Sequence, residues 1–290
     1  MSSSIPPHLN QRPWLEFEEA TASALCNNVA GELKLIAKKC SAKHVHDTRV
    51  ALRRWDSIWQ VLERDGWRTK KYWQKVGKEL KTLRKLLGDL RDWDVNFELA
   101  ETLDLPEEVL DVWLKERARA EKKVKQDLRS LDIKQLIKRI DKFVRVRPQE
   151  LRREIAATRL RRLAESAYTH LEPFLDEQEQ MVRRLERRAN TPETLHQLRL
   201  CIKGWRYLLT EFFGLTNLEL VKAQQLLGKY NDVHRVLRLL TGDEKTRELA
   251  KDAVVKLEAQ SEQLMKEFTE FRKSLPYGLR PSVVSLSDDE

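Results

Sequence analysis

HDTRVALRRW, residues 46–55, recurs as HQLRLCIKGW, residues 196–205, with a histidine, an arginine, a further basic residue and a tryptophan at identical spacings. At about 100° per residue, the positions at offsets 0, 3 and 7 fall on one narrow face of a helix. His46, Arg49 and Arg53 therefore share a polar face in the first copy, and the apolar residues between them lie on the opposite side. The sequence predicts the same basic, histidine-led helix twice.

The second copy is the more basic of the two, and its polar face carries only hydrogen-bond donors. Four residues make up this face: His196, Arg199, Lys203 and Arg206. The first copy has Asp56 where the second has Arg206, although Arg54 adds a cation beside Arg53. Arginine and lysine donate charge-assisted hydrogen bonds to phosphate oxygens, and arginine does so bidentately. The repeated face therefore predicts a site for a phosphate-bearing anion.

The repeat extends on both sides of these helices. LLGDLRD, residues 86–92, is echoed by LLGKYND, residues 226–232. Basic residues also recur twelve and eight positions before each histidine: Lys34, Lys38, Arg184 and Arg188. Internal duplication indicates one supersecondary unit packed against its copy. We therefore expect two helical halves related by a pseudo-two-fold axis.

Composition favours an all-α protein with this division. The chain has 290 residues, nine glycines and nine prolines, and 35% of its residues are charged, which is typical of long amphipathic helices. We expect a first half over 14–146 and a second half over 147–275, joined near residues 145–148. The N-terminus, 1–13, and the tail, 276–290, are expected to be disordered.

Glycines and prolines are expected to mark helix ends. We therefore place helix breaks at Gly88 and Gly228, and a single helix over 243–274. Asp92 and Asp232 then fall near the starts of new helices, where an aspartate can cap the helix. This interpretation leaves both aspartates outside the binding site.

The net charge of +9 is concentrated in parts of the chain. Between residues 64 and 91, ten basic residues face three acidic ones, and a stripe of lysines shares one helical sector: Lys71, Lys75, Lys78, Lys81 and Lys85. The corresponding segment of the second half keeps only Lys222 and Lys229. A basic surface on part of a helical protein attracts a polyanion.

Several classes of protein are disfavoured. The three cysteines lack paired spacing and no apolar run resembles a signal peptide, so we expect a cytoplasmic protein. No stretch approaches about 18 consecutive apolar residues, so no membrane span is expected. We also expect no metal site and no cofactor, because His44 and His46 at i and i+2 point apart on a helix and no nearby acidic or cysteine ligand completes a site.

Two copies of H-x2-R-x3-[KR] on helices, each followed by L-L-G-x2-[RN]-D, resemble the CHAD family, the conserved histidine α-helical domain. The resemblance covers about residues 14–275. It implies two pseudo-symmetric four-helix bundles that bind inorganic polyphosphate at the junction between them, and a protein found on polyphosphate granules. The implied ligand set comprises the two motif faces, Arg54, the flanking lysines named above, and Lys34, Lys38, Arg184 and Arg188.

Other functions are weighed against this one. A phosphatase is disfavoured because the sequence offers no obvious acid partner for His46 or His196, so no catalytic residue is assigned. LEFEEA, residues 15–20, has the E-x-E pattern of a triphosphate tunnel enzyme but lacks the lysine that completes it. A nucleic-acid-binding protein is the main alternative, because basic grooves attract nucleic acid phosphates too.

Aromatic residues bear on this choice. They fall mostly on the apolar side of the predicted helices, which favours a ligand made of phosphates alone, with weak competition by nucleic acid. A protein-docking scaffold would need only surface charge. We further expect an arriving polyanion to favour the imidazolium forms of His46 and His196, so that binding takes up protons.

Overall fold

The computed structural model describes residues 14–64, 71–142, 167–275 and 284–285. Their helices are α1 Trp14–Lys38, α2 Ala42–Arg64, α3 Lys71–Ala100, α4 Glu107–Ser130, α5 133–142, α6 Ala167–Arg187, α7 Pro192–Phe213, α8 Leu218–Leu240, α9 Glu244–Leu249 and α10 Lys251–Ser274. The prediction of an all-α fold is confirmed. In this part of the chain, no helix has the length and apolar character that crossing a bilayer requires.

One short strand pair accompanies the helices. β1, Leu215–Thr216, pairs antiparallel with β2, Val284–Ser285. β1 begins after Gly214, whose φ of 61° ends α7 in the left-handed region that favours glycine. The backbone of β1 lies outside any helix, so its polar groups are available to pair. Two residues of the tail that we expected to be disordered therefore pair with the helical body, while residues 1–13 and the joint near 145–148 lie outside the described residues.

The predicted helix breaks at Gly88 and Gly228 are wrong, because α3 and α8 run through these glycines. A glycine inside a helix costs only about 1 kcal/mol relative to alanine, and burial of the apolar faces of these long helices outweighs it. Asp92 and Asp232 consequently lie inside helices and cap none.

The predicted helix over 243–274 is divided in two. Ala250 leaves the helical region, with φ −104° and ψ 22°, and separates α9 from α10. Asp243 caps α9 by accepting a 3.1 Å hydrogen bond from the N–H of Thr246. Thr191 caps α7 in the same way, accepting from the N–H of Thr194 at 3.3 Å, and this cap fixes where the second motif helix begins.

The predicted apolar stripes form the core. Trp55 and Trp205, the tryptophans that close the two motif copies, are each only 2% exposed. Leu52 of α2 and Ile202 of α7 are buried beside them, within one hydrophobic cluster that includes residues from both halves. Burial of these stripes fixes the rotation of α2 and α7, so their polar faces must point away from the core.

Helix contacts follow the sequence repeat. Each motif helix packs on its sequence neighbours, α2 on α1 and α3, and α7 on α6 and α8. Between the halves, α1 meets α6, α2 meets α7 and α3 meets α8. Each of these pairs joins helices at the same place in the repeat, which is the pattern that a pseudo-two-fold axis produces. The half boundaries and the division into two four-helix bundles stay predictions.

Candidate functional site

The polar faces of the two motif helices border one cleft of about 850 Å³, between α2, α3, α7 and α8. Six predicted ligand residues line it, three from each copy: His46, Arg49, Arg53, His196, Arg199 and Lys203. The apolar stripes hold α2 and α7 against each other, so the two basic faces converge on a shared space. The spacing of the motif thus brings six predicted ligand residues to one cleft.

The flanking lysines and arginines do not line this cleft. They are exposed on other parts of the surface: Lys34, Lys38, Lys75, Lys78, Lys81, Lys85, Arg184, Arg188, Lys222 and Lys229. The cleft meets α3 only at residues 91–95, whereas the lysine stripe lies nearer the start of that helix. Lys222 instead lies over the ring of Phe271, with Nζ 4.9 Å from the ring centroid. The side chain of Lys71 lies outside the described residues.

Arg54, another predicted ligand residue, does not line the cleft. Its Nε lies 3.0 Å from Oε1 of Glu211, an ion pair that joins α2 to α7. Asp56 forms an ion pair with Arg84 of α3, so the acidic residue of the first motif is compensated away from the cleft. Arg206 does not line the cleft, although its charge acts on Lys203 from the same helix.

Three further cations line the cleft that the motif did not identify: Arg91, Arg235 and Arg238. All lie in or just beyond the second repeated motif, in α3 and α8. The signal in the sequence is helical spacing, because Arg235 and Arg238 follow Asp232 by three and six residues and extend its face.

Arg235 links the two halves at the edge of the cleft. From α8, its Nε donates to Oδ1 of Asn96 in α3 at 2.8 Å, and its Nη2 donates to Oδ1 of Asp232 at 2.9 Å. Its Nη1 lies 3.3 Å from Oδ1 of Asp92. One guanidinium thus contacts carboxylates from both copies of the second motif, and both aspartates line the cleft from which sequence reasoning had excluded them.

The motif arginines pass over the motif glycines. A Cβ added at Gly88 would lie 2.7 Å from Nη1 of Arg49, and one at Gly228 would lie 3.7 Å from Nε of Arg199. The absence of a side chain at Gly88 therefore creates the space that the Arg49 guanidinium occupies. The arginine side chain itself is only 10% exposed.

Burial, together with neighbouring like charges, disfavours the charged forms of Arg49 and Lys203 in the cleft. Burial lowers the pKa of Arg49 to about 10, and Arg53 adds to this lowering. Burial also lowers the pKa of Lys203 to about 7, with further lowering by Arg53, Arg199, Arg206 and Arg49. Lys203 has no ion pair or hydrogen bond among the described residues, so no carboxylate offsets this effect.

Two histidines of the second half, His196 and His234, line the cleft, and each lies within hydrogen-bond distance of a polar side chain. Nδ1 of His196 lies 2.7 Å from Oδ1 of Asn231, and because an amide oxygen only accepts, Nδ1 is the donor. His234, to which no role was assigned, also lines the cleft and packs on Tyr230 at a ring distance of 4.3 Å. Its Nε2 lies 2.9 Å from Oγ of Ser261, and burial lowers its pKa.

The charge balance of the lining favours an anionic ligand. Seven lysine or arginine side chains line the cleft, against three carboxylates: Asp92, Glu193 and Asp232. Cations drawn from two helices of each half converge on one concave surface, where a chain of phosphates can contact several of them at once.

Comparison with known proteins supports the resemblance that the repeat suggests. The family model for the CHAD domain matches residues 20–241. The fold is similar to the crystal structure of the CHAD domain from the plant Ricinus communis, with a TM-score of 0.72 and 19% identity over 95% of this chain and 96% of that one. It is also similar to PptA from Streptomyces chartreusis, with a TM-score of 0.69 and 13% identity over 90% of this chain and all of that one.

At these identities the structural matches show the fold alone, and no curated protein matches this chain significantly. The family model, in contrast, spans most of the described helices, including both copies of the histidine motif and both copies of the glycine–aspartate motif. The chain therefore belongs to the CHAD family, a family associated with polyphosphate binding.

Proposed function

We propose that this protein binds inorganic polyphosphate in the cleft between its two motif helices and catalyses no reaction on it. The observation that carries the proposal is the convergence of seven cations on one cleft of about 850 Å³. A linear polyphosphate presents a negative charge on every phosphate unit, so one chain can contact cations of both halves together. Binding of this kind needs donors and positive charge, and the cleft supplies both.

A phosphate polymer fits this lining better than nucleic acid does. Proteins that hold single strands stack the bases on exposed aromatic rings. Among the described residues that line the cleft, Tyr230 is the only tyrosine, tryptophan or phenylalanine, and it is only 7% exposed. The cleft therefore offers contacts for phosphates and few surfaces for bases.

A competition titration tests the choice of ligand. Labelled long-chain polyphosphate is bound to the protein at fixed salt, and unlabelled polyphosphate, single-stranded RNA and double-stranded DNA are compared as competitors at equal phosphate concentration. We expect polyphosphate to compete at least about tenfold more strongly, because the cleft offers few aromatic rings on which the bases of a nucleic acid could stack. Stronger competition by either nucleic acid would make the cleft a nucleic-acid site.

A matched pair of variants tests the location. Arg199→Gln with Lys203→Gln removes two cations from the cleft, and Lys78→Gln with Lys81→Gln removes two exposed cations of α3 that lie outside it. Both titrations are made at about pH 6, below the pKa of about 7 of Lys203, so that net charge falls equally in both variants. We expect the first variant to lose about tenfold or more in affinity, and the second to lose little, because exposed charges far from the ligand are screened.

The absence of catalysis and the cellular location are part of the same proposal. We expect the chain length of polyphosphate to stay unchanged after prolonged incubation with the protein, as measured on a gel; shortening would indicate an enzyme. In the cell we expect a cytoplasmic protein that gathers on polyphosphate granules. A fluorescent fusion imaged with a polyphosphate stain checks this, and the cleft variant is expected to stay dispersed.

A further inference from the structure

The second repeated motif, L-L-G-x2-[RN]-D, places a glycine and an aspartate four residues apart in each half. Gly88 precedes Asp92 in α3, and Gly228 precedes Asp232 in α8. Residues at i and i+4 are neighbours on one face of a helix. Each glycine therefore lies one turn before its aspartate on a common face, and both aspartates line the cleft.

The motif arginine of each half lies on this pair. Arg49 passes over Gly88, and its Nη2 reaches to 4.0 Å from Oδ1 of Asp92. Arg199 passes over Gly228. Burial lowers the pKa of Arg199, and Asp232 is the charge that most opposes this lowering. Arg49 thus contacts both members of its pair, whereas Arg199 contacts its glycine and forms no ion pair with Asp232 among the described residues.

We propose that the Gly88–Asp92 pair is an arginine seat, in which Gly88 leaves room for the guanidinium of Arg49 and Asp92 orients it toward the ligand. Asp232 supports Arg199 through its charge alone. Asp92 and Asp232 are then positioning residues for polyphosphate binding, although they carry the charge that phosphate repels. The proposal rests on the proposed function of the cleft. It accounts for carboxylates at the same place in both halves of a site for an anion, since an oriented arginine loses less freedom when it binds.

Two opposite effects of each aspartate are separable. Repulsion of the ligand by Asp92 is weakened by water, because this side chain is 46% exposed. Orientation acts on Arg49, which is 10% exposed and has few alternative partners within reach. The seat therefore predicts that removing the carboxylate weakens binding, whereas a purely Coulombic view predicts tighter binding.

The double substitution Asp92→Asn with Asp232→Asn tests whether these carboxylates strengthen or weaken polyphosphate binding. Net charge rises by two, yet we expect affinity for long-chain polyphosphate to fall about tenfold at physiological salt. The slope of affinity against salt concentration should also become shallower, because fewer arginines reach phosphates at once. Unchanged or tighter binding by a folded variant overturns the proposal. Asp92→Asn alone repeats the test on Arg49 while Asp232 keeps its contact with Arg235, should the double variant unfold.

Glu193→Gln is the matched control. Glu193 lines the same cleft but forms no ion pair or hydrogen bond with an arginine among the described residues, so its removal should tighten binding slightly. A measurement that does not depend on polyphosphate is the rate at which a dicarbonyl reagent modifies arginines in the free protein. We expect Arg49 to react several-fold faster after Asp92→Asn with Asp232→Asn than in the wild type or in Glu193→Gln. Equal modification rates would overturn the arginine seat, whether or not the protein binds polyphosphate.

Discussion

At the scale of single residues, Lys203 is the group most altered by its surroundings. It lies at the meeting of α2 and α7, with Arg49 and Arg53 on one helix and Arg199 and Arg206 on its own. The carboxylates of α3 and α8 that line the cleft, Asp92 and Asp232, contact arginines and not this amine. Burial and these four guanidinium groups bring its pKa to about 7.

Proton uptake on binding should therefore involve Lys203 as well as the histidines. Phosphates favour the ammonium form and raise its pKa above about 7. Affinity then rises as pH falls through the raised pKa and levels off, for this group, below about 7. Calorimetry at about pH 8 in buffers of different ionisation enthalpy measures the uptake. We expect Lys203→Gln to reduce it, and equal uptake in that variant would assign the protons to His46, His196 or the ligand.

The same amine should cost stability in the free protein. Because the folded pKa of about 7 lies below the ordinary value of 10.5, stability rises with pH between these values and the penalty is complete below about 7. Lys203→Met should raise the thermal midpoint, more at about pH 6 than at about pH 9, while weakening polyphosphate binding. Lys78→Met, at an exposed site, serves as the control; an equal gain in both would remove the buried charge as the cause.

At the scale of helices, the repeat predicted the motif helices, their buried tryptophan faces and six of the cleft residues. The repeat did not predict that α3 and α8 run through their glycines. In a sequence a glycine is typical of a helix end, whereas in the structure Gly88 makes room for a crossing arginine. The described lysines of the stripe lie on the exposed side of α3, as expected, but nearer the start of the helix, whereas the cleft meets α3 at residues 91–95. Helical periodicity fixes which face is polar, and only packing decides which turn meets the partner half.

The two glycines differ enough to give opposite outcomes. At Gly228 a Cβ would make ordinary contact with Arg199 at 3.7 Å, so Gly228→Ala should stabilise the protein by up to about 1 kcal/mol through helix propensity. At Gly88 the Cβ would lie 2.7 Å from Arg49, which must shift. We expect Gly88→Ala to lower polyphosphate affinity and to gain little or no stability. Thermal melts and titrations of both variants check this, and equal behaviour would mean that Arg49 has another position to occupy.

At the scale of the whole molecule, the site exists only where the halves meet. Arg54 with Glu211 joins α2 to α7, and Arg235 with Asn96 joins α8 to α3. The cleft between these contacts takes cations from both halves, so neither half alone supplies the complete lining. Duplication thus produces a cleft that one copy lacks.

Salt dependence measures how many of these cations act together. Each phosphate neutralised contributes about 0.7 to 0.9 to the slope of log affinity against log salt concentration. Among the described residues, seven cations line the cleft and three carboxylates oppose them, so the number of phosphates neutralised lies between the net charge of four and the seven cations. We therefore expect a slope between about −3 and −6 for long-chain polyphosphate, unchanged in Lys78→Gln with Lys81→Gln because those lysines lie outside the cleft. A steeper slope that becomes shallower in this variant would show that polyphosphate runs beyond the cleft along the lysine stripe of α3, and the site would then be a surface track with the cleft as one part of it.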